Sequence, residues 1–428
     1  MPNRSKAPKI KTITDINMPD IEVLHLDNGI PVYVVAMGTQ EVLKVEVIFQ
    51  GGRPYERKKL ASRGSSSLLK EGTQHYNSAE LAEKLDYYGS SLATPYHTDT
   101  ASLSLLSLNK HFSKVLPLLG EVIKTPSFPE DELQAFIQRS VQHLQVDLSK
   151  NDVVAYRQIT EMFFGPDHPY GYNSTAETYN QLHRDDLVEH HERLFTSDNC
   201  VVIISGKVTK EVLEQLNACL GHGIRPGKII TPILDVQEAP PQRQLIVKPD
   251  SLQSAIRIGF RTFNRHHPDY FDLSILNLVL GGYFGSRLMT NIREEKGYTY
   301  NIYSTLDAMQ FDGCFYIGTE VGNEFVQDTL TQIYLEMDRL QQELVDEDEL
   351  EMMRNYILGN YLTMIDGPFN VAELVRLLVT ENLPFTELRT SVERTLAVTP
   401  ESIMETARKY LLREKMSEVI VGKGAVEA

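Results

Sequence analysis

The chain has 428 residues, of which 42% are hydrophobic and 23% charged, as is usual for a globular protein with two or more domains. Its net charge of −16 argues against nucleic acid or an anionic membrane as the main partner, and would favour basic peptides. Three widely spaced cysteines and the absence of an apolar run near 18 residues predict neither a disulfide framework nor a membrane span.

The first half predicts strands, then helices, then a further buried strand. A short polar break, Asp27-Asn28-Gly29, divides two apolar runs and indicates a β-hairpin. Asn77 and Glu80 stand at the spacing of a capping box, which predicts a helix start. The predicted elements in chain order are a hairpin at 21–37, a strand at 41–52, helices at 60–73 and 77–89, a strand at 100–108, helices to about 195, and a strand at 200–206.

The helix predicted over 60–73 has an unusual middle, Arg63-Gly64-Ser65-Ser66-Ser67. Glycine is flexible in a helix, and serine side chains compete for backbone hydrogen bonds, so both residue types are poor helix formers. The sequence of this helix therefore needs an explanation other than helix propensity.

The second half repeats the plan of the first. Residues 128–144 resemble 345–362 at an offset of 217, and residues 185–207 resemble 401–423 at an offset of 216. Such a steady shift predicts duplication of a unit of about 200 residues. Each half mixes hairpin strands with segregated helices, so we expect an α+β fold of two homologous α/β sandwich domains. The predicted divisions are an N-terminal tail (1–20), a first domain (21–220), a linker rich in Pro and Gly (221–243) and a second domain (244–428).

Two motifs in this plan resemble a known family. They are GPDHPYG (165–171) and, above all, LGGYFGSRLMTNIREEKGYTYNIYS (280–304). With the two α+β halves, they resemble the pitrilysin/insulinase-type zinc peptidases, and the short-chain branch in which two subunits enclose a chamber. The resemblance covers the chain from about residue 20 to 424 and implies a duplicated metallopeptidase-like fold.

In that family the first half carries an H-x-x-E-H helix, in which both histidines bind zinc and the glutamate is the general base. A further Glu ligand lies roughly 75–80 residues downstream. Counting back from Gly72-Thr73, the His, Glu and His positions are Arg63, Ser66 and Ser67 here, and the downstream position falls around His143. A catalytic zinc needs three protein ligands. The resemblance therefore implies no metal or other cofactor in this chain, and zinc only in a partner subunit.

Other residues offer no clear replacement. Neither H-x-x-E-H nor H-E-x-x-H occurs anywhere in the chain. His190 and His191 are adjacent and face different sides of a predicted helix, so we interpret them as one surface and one core histidine rather than metal ligands. Serines 65–67 lack a G-x-S-x-G context and an identifiable base, which favours small packing residues over a nucleophile.

The second half matches another functional element of the family. Active members place an Arg and a Tyr, seven residues apart, over the zinc, where they hold the substrate backbone. The resemblance assigns this pair to Arg293 and Tyr300, as donors that stabilise the developing oxyanion. The alternative is that Tyr300 packs in a strand and that Arg293 closes a helix against its dipole.

The resemblance thus implies a non-catalytic, substrate-binding subunit of a heterodimeric metallopeptidase. Its partner would be an H-x-x-E-H-bearing sister subunit, its substrate an unfolded peptide bound as an added strand, and the isolated chain could form a homodimer. The first alternative is an inactive scaffold similar to the respiratory-complex core proteins or to processing-peptidase α-subunits, although the latter carry a longer Gly-rich loop. The second is a homodimeric peptidase with a displaced metal site. We expect a cytoplasmic location, or a periplasmic one if a signal peptide has been removed.

Overall fold

The computed structural model describes residues 16–232, 234 and 240–423. Most of the expected tail and part of the expected linker lie outside the described residues, so the predicted domain boundaries stay predictions. Within the described ranges, no helix is both long enough and apolar enough to cross a membrane. Two separate sheets carry helices packed against them, which confirms the predicted fold class.

The two sheets share one strand order. The first sheet is built from β1 (Glu22–His25), β2 (Pro31–Ala36), β3 (Val42–Gln50), β4 (Ser91–Ala93), β5 (Thr100–Leu108) and β6 (Cys200–Gly206). The second is built from β7 (Arg243–Val247), β8 (Gln253–Thr262), β9 (Ile302–Ala308), β10 (Gly313–Gly322) and β11 (Ser417–Gly422). The order β2-β6-β3-β5-β4 in the first corresponds to β7-β11-β8-β10-β9 in the second. In both, the first pair is parallel and the following pairs are antiparallel.

The helices repeat in the same way. Those of the first half are α1 (Ala61–Leu68), α2 (Ser78–Tyr87), α3 (Phe112–Lys124), α4 (Glu130–Ser149), α5 (Asn151–Phe164), α6 (Ala176–Asn180), α7 (Arg184–Leu194) and α8 (Lys210–Leu220). Those of the second half are α9 (Tyr270–Asn277), α10 (Val326–Gln342), α11 (Glu347–Met364), α12 (Pro368–Thr380), α13 (Glu387–Ala397) and α14 (Pro400–Tyr410). Two π-helical segments, Leu278–Gly282 and Met289–Glu295, follow α9. α4 and α11 begin 217 residues apart, which is one of the offsets seen in the sequence.

Local sequence explains several of these elements. β1 and β2 pair as an antiparallel hairpin, and Gly29 in the turn has a φ of 86°, which glycine adopts without strain. At the start of α2, the Asn77 side chain accepts from the Glu80 amide, and the Glu80 carboxylate accepts from the Asn77 amide. The predicted hairpin and capping box are therefore confirmed.

Helices α5 and α12 cross between the halves. Along β2, Val34 faces the helices of its own half, whereas its neighbour Val35 faces α12 of the other half. Reciprocally, Ile159 of α5 is buried with Val419 and Val421 of the second sheet. Each sheet is thus covered on one face by its own helices and on the other by a helix of the opposite half.

Candidate functional site

Helix α1 carries the three positions that the resemblance assigns to the family's zinc ligands and base. Arg63 is exposed, Ser67 is half-buried, and Ser66 is only 2% exposed. The guanidinium of Arg63 lies 5.9 Å from the centre of the Tyr96 ring and 6.0 Å from that of Tyr179, the outer limit of a cation–π contact. Arg63 therefore points toward aromatic rings and solvent.

Gly64 explains part of the unusual composition of α1. A Cβ atom at this position would lie 2.7 Å from a methyl group of Leu187 on α7 and 3.0 Å from a methyl group of Leu182. Both leucines are almost fully buried. Glycine therefore allows α1 and α7 to pack closer than any larger residue would permit.

A carboxylate outside the helix caps α1. The Glu56 carboxylate accepts from the backbone amide of Ser62 at 2.9 Å, in the first turn, and from the Tyr172 hydroxyl at 2.8 Å. Burial raises the pKa of Glu56 to about 7, whereas these hydrogen bonds lower it. The sequence did not predict the hydrogen bonds of Glu56 with Ser62 and Tyr172. A carboxylate a few residues ahead of a predicted helix was the available signal, since acceptors stabilise helix N-termini.

The expected downstream ligand position is on α4. This helix packs against α1, but the side chain of His143 is exposed. Among the residues that the structure describes, no three His, Cys, Asp or Glu side chains form a group that could hold a metal ion. In the described structure, the contacts of α1 and α4 are packing and capping contacts.

The other candidate pair lies in the second half. Arg293 is in the second π-helical segment, and its guanidinium carbon lies 4.8 Å from the centre of the Phe284 ring and 5.3 Å from that of Tyr300. Tyr300 is 88% exposed and Phe284 is 59% exposed. Tyr300 precedes β9 and is not part of a strand, so the packed-strand alternative is wrong for this residue.

The guanidinium of Arg293 is held by aromatic rings rather than by acids. Within the described part of the chain, it has no hydrogen bond and no ion pair. A guanidinium over aromatic faces keeps its N–H donors in the plane of the group and free to bind an acceptor. Together with the exposed Tyr300 hydroxyl, it presents two kinds of donor on one surface.

The glycines before this segment allow close packing. A Cβ at Gly281 would lie 2.5 Å from the Ser304 backbone nitrogen, and a Cβ at Gly285 would lie 2.8 Å from the Tyr283 ring. The Gly281 contact brings the first π-helical segment against β9, the strand that Tyr300 of the Arg293 surface precedes. No described hydrogen bond, ion pair or ring contact joins that surface to α1.

The adjacent histidines of α7 are both structural. His190 Nε2 lies 2.9 Å from the Gly51 carbonyl oxygen, and His191 Nε2 lies 2.9 Å from the Ile123 carbonyl oxygen. Both side chains are buried, so the interpretation of one of them as a surface residue is wrong. A short helix between a sheet and neighbouring helices buries more than one face, which periodicity alone does not reveal.

The fold and these positions define a class of protein. It is a duplicated α/β protein in which Arg63, Ser66 and Ser67 of α1 stand where the resemblance predicts the family's metal ligands and base. Residues 181–357 match the family described as "Peptidase M16 inactive domain".

Relatives carry names of two kinds. The chain is 23% identical over 301 residues to the "Uncharacterized zinc protease YmxG" of Bacillus subtilis, covering 69% of this chain and 72% of the relative. It is 22% identical over 367 residues to the "Non-peptidase homolog YmxG" of Helicobacter pylori, covering 82% of each. Among solved structures, a peptidase M16 inactive domain from Pseudomonas fluorescens superposes with a TM-score of 0.86 and 22% identity, over 96% of this chain and 99% of that one.

These findings confirm the predicted resemblance. Residues 181–357 match a family model described as inactive, and one similar protein is named a non-peptidase homolog. The structural likeness by itself shows the shared fold.

Proposed function

We propose that this chain is the non-catalytic, substrate-binding subunit of a heterodimeric M16-type zinc peptidase. In this proposal it places Arg293 and Tyr300 in the active site of a sister subunit that carries H-x-x-E-H and binds the zinc. The substrates are unfolded peptides. Peptide hydrolysis then needs both chains, because one provides the metal and the other the donors.

The exposed Tyr300 hydroxyl beside the Arg293 guanidinium is the observation that carries this proposal. Tyr300 is 88% exposed, so its hydroxyl does nothing for the packing of this chain. Arg293 is oriented by Phe284 and Tyr300 without a carboxylate partner among the described residues. Donors that are oriented before the substrate arrives are what oxyanion stabilisation requires.

The position of the pair also suits an extended peptide. Tyr300 stands two residues ahead of β9, which is the outer strand of the second sheet and pairs only with β10 in the described structure. A peptide that adds to a sheet edge exposes a row of carbonyl groups to nearby donors. Such binding recognises mainly the backbone of the peptide through hydrogen bonds, so it is compatible with many peptide sequences.

Reconstitution with a zinc-bearing M16 sister subunit tests the proposal. We expect Tyr300→Phe to lower kcat on the order of 10²–10³-fold, because one oxyanion donor is lost while the ring remains. Arg293→Ala should also raise KM, because it removes a backbone contact as well as a charge. The matched control is Tyr87→Phe on α2, whose side chain is 82% exposed and far from the pair in sequence; this complex should cleave like wild type.

The outcomes separate the proposal from its alternative. Size-exclusion chromatography first confirms that each variant forms the same complex. If the Tyr300→Phe complex forms and cleaves at the wild-type rate, the shared site is wrong. If the sister subunit cleaves equally well without this chain, the scaffold function should replace the proposal.

A further inference from the structure

Strand β7 forms the outer edge of the second sheet on the side opposite to β9. It runs parallel to β11 and pairs with no other strand in the part of the chain that the structure describes. The unpaired N–H and C=O groups of such an edge are a template on which another strand can pair, so proteins usually cover or shorten their sheet edges. The edge of β7 is therefore a candidate interaction surface.

The first half covers the corresponding edge with a strand. There β2 takes the place of β7, and β1 pairs with its outer side in antiparallel direction. Val34 of β2 lies opposite Ile204 and is 3% exposed. Leu245 of β7 lies opposite Ile420, the counterpart of Ile204 at the offset of 216, and is 40% exposed. In the described second half, the place that β1 fills in the first half is thus open.

The hydrogen bonds of β7 show which of its residues face the free edge. The Gln242 carbonyl accepts from the Glu418 amide at the start of β11, at 2.8 Å. The Lys248 amide donates to the Gly422 carbonyl at the end of β11, at 2.6 Å. Because every second residue of a parallel strand bonds to its neighbour, the even-numbered residues of β7 face β11. The odd-numbered residues present their N–H and C=O groups to the free edge; they are Arg243, Leu245 and Val247.

Apolar side chains are exposed along this edge and beside it. Val247 at the end of β7 is 55% exposed, and Leu252 in the turn that follows is 89% exposed. The Lys248 ammonium donates to the Leu148 carbonyl at 2.9 Å, which holds the end of α4 next to this turn. Leu148, Val247 and Leu252 line one surface depression. Neighbouring exposed apolar side chains of this kind mark surfaces that bind another protein.

The charges of the edge are compatible with a second copy of the same strand. Two β7 edges that are related by a two-fold axis pair in antiparallel direction, as β1 and β2 do. With the axis at Leu245, this residue meets its own copy, and Arg243 meets Val247. Like charges directly opposite each other would destabilise the pair, and this register has none. The Arg243 guanidinium also has its own acid, because it lies 3.0 Å from the Glu418 carboxylate.

The prolines on both sides of β7 select the same register. With the axis at Leu245, Pro241 lies opposite Pro249, so the hydrogen-bonded ladder ends where both strands lack an N–H. Moving the axis by one residue would place either Val247 opposite Pro241 or Arg243 opposite Pro249. The carbonyl that faces the proline would then lose its donor. Only the axis at Leu245 pairs every outward N–H and C=O group of β7.

We propose that β7 pairs with β7 of a second copy of this chain about a two-fold axis at Leu245. The second sheets of the two copies then join into one continuous sheet. The occupant is a second copy because the charges and prolines of this edge match themselves in one register. The interface is independent of the proposed peptidase role, since the Arg293 surface adjoins β9, which is the opposite edge of the same sheet.

Sedimentation velocity of the full chain over a micromolar concentration series tests this proposal. A ladder of one short strand is a small interface, so we expect a weak dimer with a dissociation constant on the order of 1–100 µM. The dimer should have twice the 48.6 kDa mass of one chain. Hydrogen exchange in the peptide that covers β7 should slow as the dimer forms, because the outward amides become bonded.

Two results with the wild-type chain would overturn the proposal. One is a chain that stays monomeric throughout the concentration series. In that case, protection of the β7 peptide on addition of a zinc-bearing sister subunit would assign the edge to that partner instead. The other is a dimer that leaves hydrogen exchange in β7 unchanged, because its interface would then lie elsewhere.

Charge variants at Leu245 test the position of the axis. Leu245→Lys and Leu245→Glu should each weaken the dimer at least about tenfold, because two like charges would meet on the axis. An equimolar mixture of the two variants should form a mixed dimer, because opposite charges then meet. The matched control is Val23→Lys on β1, an edge strand of the first sheet, whose side chain is 44% exposed; this variant should dimerise like wild type.

Two results with the variants would also contradict the proposal. If Leu245→Lys dimerises as tightly as wild type, β7 is not the interface. If both variants are monomeric and their mixture stays monomeric, Leu245 does not meet its own copy and the axis is wrong. If circular dichroism shows that a Leu245 variant is unfolded, hydrogen exchange in β7 of the wild-type chain decides the question.

Discussion

Gly64 on α1 offers a sharp test of why this helix has its unusual sequence. In Gly64→Ala the new Cβ would lie 2.7 Å from a methyl group of Leu187 and 3.0 Å from a methyl group of Leu182. Ordinary carbon–carbon contact needs roughly 3.5–4 Å, so both methyl groups must move. The two leucines are 0% and 1% exposed, which leaves them little space to do so.

Two opposing effects set the change in the free energy of unfolding caused by Gly64→Ala. Alanine stabilises a helix interior over glycine by about 1 kcal/mol. Adding a methyl group to a close-packed core costs about 1–3 kcal/mol. With two buried neighbours in conflict, the packing cost should exceed the helix gain, and we expect a net loss of about 1 kcal/mol in the free energy of unfolding. The matched control is Gly359→Ala in α11, where a Cβ meets nothing within 4 Å; it should gain about 1 kcal/mol.

Urea unfolding measures both variants against wild type. Far-UV circular dichroism is the suitable signal, because the chain has 0 tryptophans and so lacks the usual fluorescence probe. Equal m-values would show that the change lies in stability rather than in the unfolded state. If Gly64→Ala is as stable as wild type or more so, the leucines relax freely, and close packing against α7 does not explain Gly64.

Three further predictions follow from the same structure. The purified chain should contain no stoichiometric zinc by elemental analysis, and chelator-sensitive peptidase activity would contradict this. Arg63→His, Ser66→Glu and Ser67→His combined should create no tight zinc site, because a third ligand is still missing; calorimetric titration with Zn²⁺ checks it. Burial lowers the pKa of His190 and His191 from 6.5 to about 4, so protons bind the unfolded chain first. The stability that the two neutral histidines contribute should be fully present above pH 6.5 and fall by about 2 kcal/mol per histidine at about pH 5. Urea unfolding above pH 6.5 and at about pH 5 should show a smaller loss of stability in His190→Gln than in wild type.

Local signals were enough to predict many elements of the fold. β5 and β6 have the bounds expected from their apolar runs, 100–108 and 200–206. The hairpin and the capping box of α2 also depend on residues close together in sequence, so their physics is visible in a short window. The repeat offset extended this to the second half, because the same pattern returns 217 residues later.

Long-range packing was not predictable in the same way. The sequence of α5 shows an apolar helix, but nothing in it says that Ile159 packs on the second sheet rather than the first. The π-helical segments were also missed. In the first of them, a Cβ at Gly281 would lie 2.5 Å from the Ser304 backbone nitrogen, so the close contact with β9 requires glycine. Both features are set by partners that are far away in the chain.

The candidate site required a resemblance in addition to the sequence pattern. Nothing in periodicity distinguishes Tyr300 from a strand residue, and the assignment of Arg63, Ser66 and Ser67 to zinc-ligand and base positions rests on the resemblance alone.

The two candidate regions differ in whether folding explains their residues. On α1, Gly64 and Ser66 are buried, and the Glu56 carboxylate caps the first turn, so packing and capping account for this helix without a metal. Arg293 and Tyr300 make a surface contact instead: the half-buried Arg293 guanidinium lies against the exposed rings of Phe284 and Tyr300. Substitution of an exposed residue such as Tyr300 usually changes stability by less than about 0.5 kcal/mol. Folding therefore explains the residues at the positions that the resemblance assigns to zinc better than it explains the exposed Tyr300, and this difference directs the functional test to a partner's active site.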